Sequence, residues 1–220
     1  MNNPWQDINF ETYEKHMKSD NVHQLQTLNQ ITKEQLDLYN SDVVGILGIA
    51  GGNGLEQIDL STTTKVYGFD INKNYLEICA NRFSYMKEKL TLIESDFNDK
   101  SFDLPKINLL ISNLIIEYVG VNQFVNLIDR NENALDVITC TIQGKEADDF
   151  VSESEYTSDF DSLELILHKI EPNELLEAFS NINYEFIDQK EYNLPNGKKF
   201  IRLDFAKQEI YKKISINNKV

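Results

Sequence analysis

Cysteine, proline and tryptophan are all scarce in this chain: two, four and one among 220 residues. Cys79 and Cys140 form no Cys-x-x-Cys pair, so neither a disulfide framework nor a thiolate metal cluster is expected. His16, His23 and His168 show no i, i+4 pairing, which argues against a metal site as well. No stretch approaches the roughly 18 apolar residues that a spanning helix needs, and Met1 to Phe10 has neither the basic flank nor the apolar run of a leader. The expectation is a cytoplasmic protein with no membrane partner. Basic residues are short too, 21 Lys and Arg against 36 Asp and Glu, for a net charge of -15. Such a surface repels phosphate backbones, and Lys198-Lys199 and Lys212-Lys213 are too brief to make a basic patch. Nucleic acid is therefore not expected as a partner.

A Pro-rich linker, an internal repeat and a low-complexity tract are also missing, so residues 1–220 read as one domain. Its parts are a helical cover (1–41), an α/β core (42–207) and a tail (208–220). In the cover, Phe10 to Tyr39 is polar and helix-forming, and Thr32 with Gln35 matches a capping box that opens a short helix. From Asp42 onward, short apolar runs alternate with amphipathic stretches. Val43 to Ile49, Lys65 to Phe69, Leu90 to Ile93, Ile107 to Ile111 and Leu135 to Ile142 are apolar at consecutive positions, as strands covered on both faces are. Asn74 to Lys87 carries Leu76, Ile78, Cys79, Phe83 and Met86 at helical spacing. This alternation predicts a Rossmann-like, doubly wound, mostly parallel sheet. Pro172 opens a helix over Asn173 to Phe179, and Asn196-Gly197 predicts a C-terminal antiparallel hairpin, Tyr184 to Leu194 with Lys198 to Phe205.

The densest chemical signal is Gly48-Ile49-Ala50-Gly51-Gly52-Asn53-Gly54, placed between a strand and a helix. Glycines there permit positive φ and let backbone approach a ligand. Alone, such a turn is equally a tight strand-to-helix connection. Asp70, closing the strand Val66-Tyr67-Gly68-Phe69, adds an acid suited to a ribose diol, and the pair defines a nucleoside site at the switch point of the sheet.

On these residues the sequence from Asp42 to Phe205 resembles the class I S-adenosylmethionine-dependent methyltransferases. The family motif reads acid-x-Gly-x-Gly-x-Gly. Here Gly48 stands where the acid is usual and Ala50 where the first glycine is usual, while Gly52 and Gly54 match and Gly51 and Asn53 lie between them. The resemblance implies S-adenosylmethionine as cofactor, with Asp70 on the ribose, Ile71 beside the adenine, and Asp96 and Phe97 at the adenine edge. It places Asn113 and the residues after it beside the transferred methyl group. The N-terminal Tyr13 to Met17 segment is similar to the helical cover of a group of small bacterial methyltransferase-like proteins, which would bring Tyr13 and His16 to the substrate. The implied activity is methyl transfer to a small molecule or a protein side chain. Asn113-Leu114-Ile115-Ile116 lacks the prolines and aromatic of nucleobase amino-methylating enzymes.

Two other readings stay open. The missing acid at Gly48 fits a non-catalytic S-adenosylmethionine-binding module, and Gly48, Gly51 and Gly54 also satisfy the glycine spacing of a nicotinamide-dependent oxidoreductase. The Tyr85-x-x-x-Lys89 spacing sits too early in the chain to be the catalytic pair of such an enzyme. Among candidate catalytic groups, His16 is a general base or a surface residue, Glu117 a pocket carboxylate or a helix-start acid, and Tyr118 a pocket wall or plain packing. Tyr156, within the acidic Val151 to Asp161 stretch, is either a substrate contact or part of a solvated loop.

Overall fold

The computed structural model describes residues 3–144 and 150–217. Seven strands form one sheet: β1 (Val43–Leu47), β2 (Lys65–Asp70), β3 (Leu90–Glu94), β4 (Ile107–Asn113), β5 (Leu135–Gln143), β6 (Tyr184–Asn193) and β7 (Lys199–Lys207), in the order β3-β2-β1-β4-β5-β7-β6. The first five pair in parallel, and β7 enters antiparallel between β5 and β6. The expected hairpin is present, with Asn193 opposite Lys199 and Leu194 N donating to Lys198 O across the turn. An antiparallel seventh strand at this position departs from the 3-2-1-4-5-6 order of dinucleotide-binding sheets. The oxidoreductase reading loses its structural basis there. Its other motif is also accounted for, because Lys89 Nζ donates to Leu60 O and Thr63 O while Tyr85 is exposed.

Helices cover both faces, which is why the central strands carry apolar residues at successive positions. On one face Leu47, Phe69, Leu110 and Ile138 pack with α5 (Val121–Arg130) and α6 (Pro172–Ser180), where Phe179 stacks on Phe205 at 3.9 Å between centroids. On the other, Val44, Ile46, Leu109 and Ile111 meet α2 (Gln24–Tyr39), α3 (Lys73–Arg82) and the start of α7 (Gln208–Asn217). The segment expected as a tail is thus helical through Asn217, with Ile210 and Tyr211 packed on the core; 218–220 lie outside the described residues.

The cover consists of α1 (Phe10–Lys18) and α2. Asn9 caps α1 by accepting from Glu11 N and Thr12 N. The capping-box expectation at Thr32 and Gln35 is wrong. Both lie inside α2, which starts eight residues earlier at Gln24, and both are buried against the sheet. Their polar groups serve a tertiary contact with β4 and β5 rather than a helix end. No helix among the described residues is long and apolar enough to cross a membrane.

Candidate active site

Parallel strands that share a direction bring the residues just past their C-terminal ends together, and here the ends of β1, β2, β3 and β4 converge under the cover. The result is a cleft of about 1050 Å³, part of it open to solvent.

At one end the chain leaves β2 through Asp70. Its Oδ2 accepts from Ala50 N at 2.8 Å and its Oδ1 from Asn72 N at 2.9 Å, so the carboxylate joins the glycine loop to the β2 end. Burial pushes its pKa up to about 6, against the backbone N–H groups that lower it. Ionised, the group has about four acceptor sites. With the Ile71 N–H as a third backbone donor, acceptor capacity remains for a ligand hydroxyl. Ile71, Ser95, Asp96 and Phe97 line the same end. Asp96 is exposed and its Oδ1 accepts from Asn98 N, whereas Phe97 is buried. The Ser95 and Tyr75 hydroxyls are buried with no hydrogen-bond partner among the described residues, and both residues line the cleft. Such atoms cost free energy unless a ligand or water meets them.

The glycine loop divides its work. Gly48 (φ +66°) and Ala50 (φ +45°) line the cleft, and a Cβ at Gly48 would overlap the Ile115 side chain. A side chain at this position, where the resembled family usually has an acid, would meet Ile115. Gly51, Gly52 and Asn53 lie instead along an adjoining crevice that shares Tyr13, Leu28, Gly48, Ala50 and Asn113 with the cleft, while Gly54 lines neither and packs against Thr32. A Cβ at Gly51 would run into the Phe10 ring, and Asn53 donates to Leu25 O at 2.9 Å while accepting from Asn29. This half of the loop packs the cover.

Asn113 closes β4 at the cleft, but its amide is engaged. Gln35 Nε2 donates to Asn113 Oδ1 at 2.9 Å and Asn113 Nδ2 donates to Gln35 Oε1 at 3.0 Å, with a longer bond to Thr32 Oγ1. Gln35 Nε2 also reaches Thr139 Oγ1, which in turn donates to Asp204, itself ion-paired with Arg202.

The opposite end of the cleft is aromatic. Trp5 meets the rings of Tyr13 and Tyr118 edge-on at 5.9 and 5.0 Å, and Tyr118 meets Phe150 at 6.0 Å and 88°. Asn72 holds the strap that carries Trp5, donating through Nδ2 to Trp5 O at 2.8 Å. His16 is buried on α1, its ring 4.5 Å from Phe160 and its Nδ1 2.8 Å from Ser154 Oγ. Burial, reinforced by the charge of Lys198, lowers its pKa to about 4, so the imidazole is neutral near pH 7. Burial raises the Tyr118 phenol well above its ordinary value, which keeps it protonated and makes it a hydrogen-bond donor.

Two expected residues fall elsewhere. Glu117 does not line the cleft; α4 (Ile116–Val119) turns Tyr118 and Val119 to it and buries Glu117 behind, where Oε1 accepts from Gln143 N at 2.7 Å. Tyr156 is not a lining residue either; it packs against the cluster of Ile8, Phe160 and Leu163, with its hydroxyl near Glu155 and Lys15. The stretch around it is no solvated loop. A 3-10 segment over Thr157–Ile166 buries Phe160 and Leu163, which line the cleft. Trp5, Ser95, Phe150, Phe160 and Leu163 were not anticipated from sequence; only Trp5, as the single tryptophan, carried any signal.

This sheet order, with its covered C-terminal cleft and the acid at the end of β2, is the fold of the class I S-adenosylmethionine-dependent methyltransferases. The chain is similar to magnesium protoporphyrin IX methyltransferase (ChlM) from Synechocystis PCC 6803 with bound SAM, with a TM-score of 0.68 at 9% identity over 94% of this chain and 98% of that one. It is also similar to N-methyltransferase NodS from Bradyrhizobium japonicum WM9 in complex with S-adenosyl-L-homocysteine (0.66, 10%, 94% and 99%). A third likeness is to an S-adenosylmethionine-dependent methyltransferase from Clostridium acetobutylicum ATCC 824 (0.60, 13%, 89% and 96%). At such identities the likeness is one of fold. No protein-family model matches this sequence, and neither does any curated protein.

Proposed function

We propose that this protein is an S-adenosylmethionine-dependent methyltransferase acting on a small molecule. The observation that carries the reading is Asp70, a buried carboxylate at the end of β2 that lines the cleft and is tied by backbone N–H groups to the glycine loop. The residues around it fit the cofactor: the partnerless Ser95 and Tyr75 hydroxyls offer hydrogen bonds, Ile71 and Phe97 offer apolar faces for a purine, and the Gly48 and Ala50 backbone leaves room for an approaching chain. Bound there, S-adenosylmethionine supplies a methyl group on a sulfonium that needs no further activation. The protein's share of the work is to align and to exclude water. Tyr13, Met17 and Leu28 on the cover close the cleft from above, and the Gln35–Asn113 pair fixes the cover to the sheet. Neutral His16 is available as a proton acceptor at the aromatic end. The two buried free cysteines agree with a reducing, cytoplasmic setting.

The non-catalytic alternative rested on the lost acid at Gly48. Ile115 takes that space without supplying a charge, and methyl transfer to an acceptor, beyond cofactor binding, is what separates the two readings. Calorimetric titration with S-adenosylmethionine, S-adenosylhomocysteine and NADH in parallel tests the proposal. Micromolar binding of both sulfur ligands with none of NADH is expected; silence from the sulfur ligands would refute it.

A further inference from the structure

The cleft's polarity is sharply divided. Its two lining carboxylates, Asp70 and Asp96, are both at the nucleoside end. The other end is walled by Trp5, Tyr118, Phe150, Phe160 and Leu163, and His16 stands there as an imidazole that is neutral near pH 7. Trp5 and Phe150 each meet the Tyr118 ring close to a right angle, at 85° and 88°, so that these three aromatic rings line this end. A cationic acceptor would be desolvated here with no lining carboxylate to meet it, because Glu117 is buried behind Tyr118 with Oε1 held by Gln143 N, and Lys198 lies near enough to depress His16. N-methylation that leaves a charged product meets the same penalty. An anionic acceptor would find no cation in the lining, since Lys198 is outside it and its Nζ donates to Phe150 O at 2.8 Å.

We infer that the acceptor is a small, uncharged aryl alcohol, bound among Trp5, Tyr118 and Phe150 with its hydroxyl directed to His16. The inference rests on the methyltransferase reading for its reaction but on the aromatic chamber for its recognition. O-methylation replaces the hydroxyl hydrogen with a methyl group, and the released proton goes to the His16 imidazole. A weakly basic imidazole suffices, because an oxygen acquiring a methyl group becomes far more acidic than an imidazolium. The step uses the tautomer in which Nδ1–H donates to Ser154 Oγ, which also accepts from Tyr156 N, so that Nε2 is the unprotonated nitrogen that takes the released proton.

The test is calorimetric titration of the full chain with 2-naphthol, its cationic analogue (2-naphthyl)methylamine and its anionic analogue 2-naphthoate, each with and without saturating S-adenosylhomocysteine. The neutral probe should bind at least tenfold more tightly than either charged one. His16→Phe should weaken 2-naphthol about fivefold while S-adenosylhomocysteine affinity and the melting temperature hold, and Leu163→Trp should block the probe by filling the chamber. Preference for a charged probe, absence of 2-naphthol binding in both forms, or an unchanged 2-naphthol affinity in His16→Phe would overturn the inference. If S-adenosylhomocysteine stays silent while 2-naphthol binds, the donor reading falls and the chamber's specificity stands.

Discussion

Gln35 and Asn113 exchange two amide hydrogen bonds, each donating to and accepting from the other, and so join the middle of α2 to the last residue of β4. The pair sits at the inner edge of the cleft, and Gln35 is fully buried. Its Nε2 continues through Thr139 to Asp204 and Arg202. One amide therefore positions both the cover and the cleft floor.

Gln35→Leu should expose the cost of this arrangement. It leaves the half-buried Asn113 amide and the buried Thr139 hydroxyl without a main partner, a loss of about 2–3 kcal/mol. For a chain of this length that lowers the melting temperature by roughly 5–10 °C. S-adenosylhomocysteine affinity should fall as well, because the cover loosens over the donor end. Scanning calorimetry with and without the ligand would read both, and a melting temperature within about 2 °C of wild type would dismiss the latch.

Asp70 carries a pH signature. Its carboxyl titrates at about 6 in the folded protein, above the ordinary value of 3.8, because burial penalises the charge. A ribose diol donates to the ionised form, so cofactor affinity should be level above pH 7 and fall by up to tenfold per pH unit below about 6. Asp70→Asn should weaken binding at least tenfold at pH 7.5 and remove the acid limb. A binding profile flat from pH 5 to 8 in the wild type would mean that this carboxylate does not meet the ligand.

Much of this architecture is legible from local pattern. The five parallel strands are apolar on both faces because helices cover both, and Asn196-Gly197 marks the hairpin at its turn. The nucleoside end is legible for the same reason: Asp70 and the glycine loop are fixed by strand ends close in sequence. Long-range polar contacts leave no such trace. Thr32 and Gln35 have the spacing of a capping box, yet the spacing serves Asn113 about 80 residues away, which no local rule can see. Likewise the acidic surface of the Thr157–Ile166 segment masks Phe160 and Leu163, which point inward, while Glu117 and Tyr118, adjacent in sequence, diverge to opposite sides of one short helix.

Gly48→Asp would restore the acid usual in the resembled family, and it should harm this protein. Positive φ at residue 48 disfavours any side chain by about 1–2 kcal/mol, and Ile115 stands in the way. A total loss of about 2–4 kcal/mol is expected, with weakened cofactor binding. Gly48→Asp with Ile115→Ala should recover part of it by emptying the space. Equal stability of the single and double variants would show that Ile115 is not what took the acid's place.

Glu117 makes the stability itself depend on pH. Its pKa rises from the ordinary 4.5 to about 7 because burial outweighs the hydrogen bond from Gln143 N, and Oε2 has no partner among the described residues. The folded state thus holds a proton that the unfolded chain has released between those two values. Stability must then decline as pH climbs from about 4.5 through 7 and level off above, by about 3 kcal/mol in all for this one group. Glu117→Gln keeps an oxygen for Gln143 N and cannot ionise, so it should flatten that part of the profile and unfold at higher denaturant than wild type at pH 8. Urea titrations at pH 5, 6, 7 and 8 on both proteins decide the matter. Parallel profiles would place the titration on some other group, since the substitution removes this carboxylate and little else.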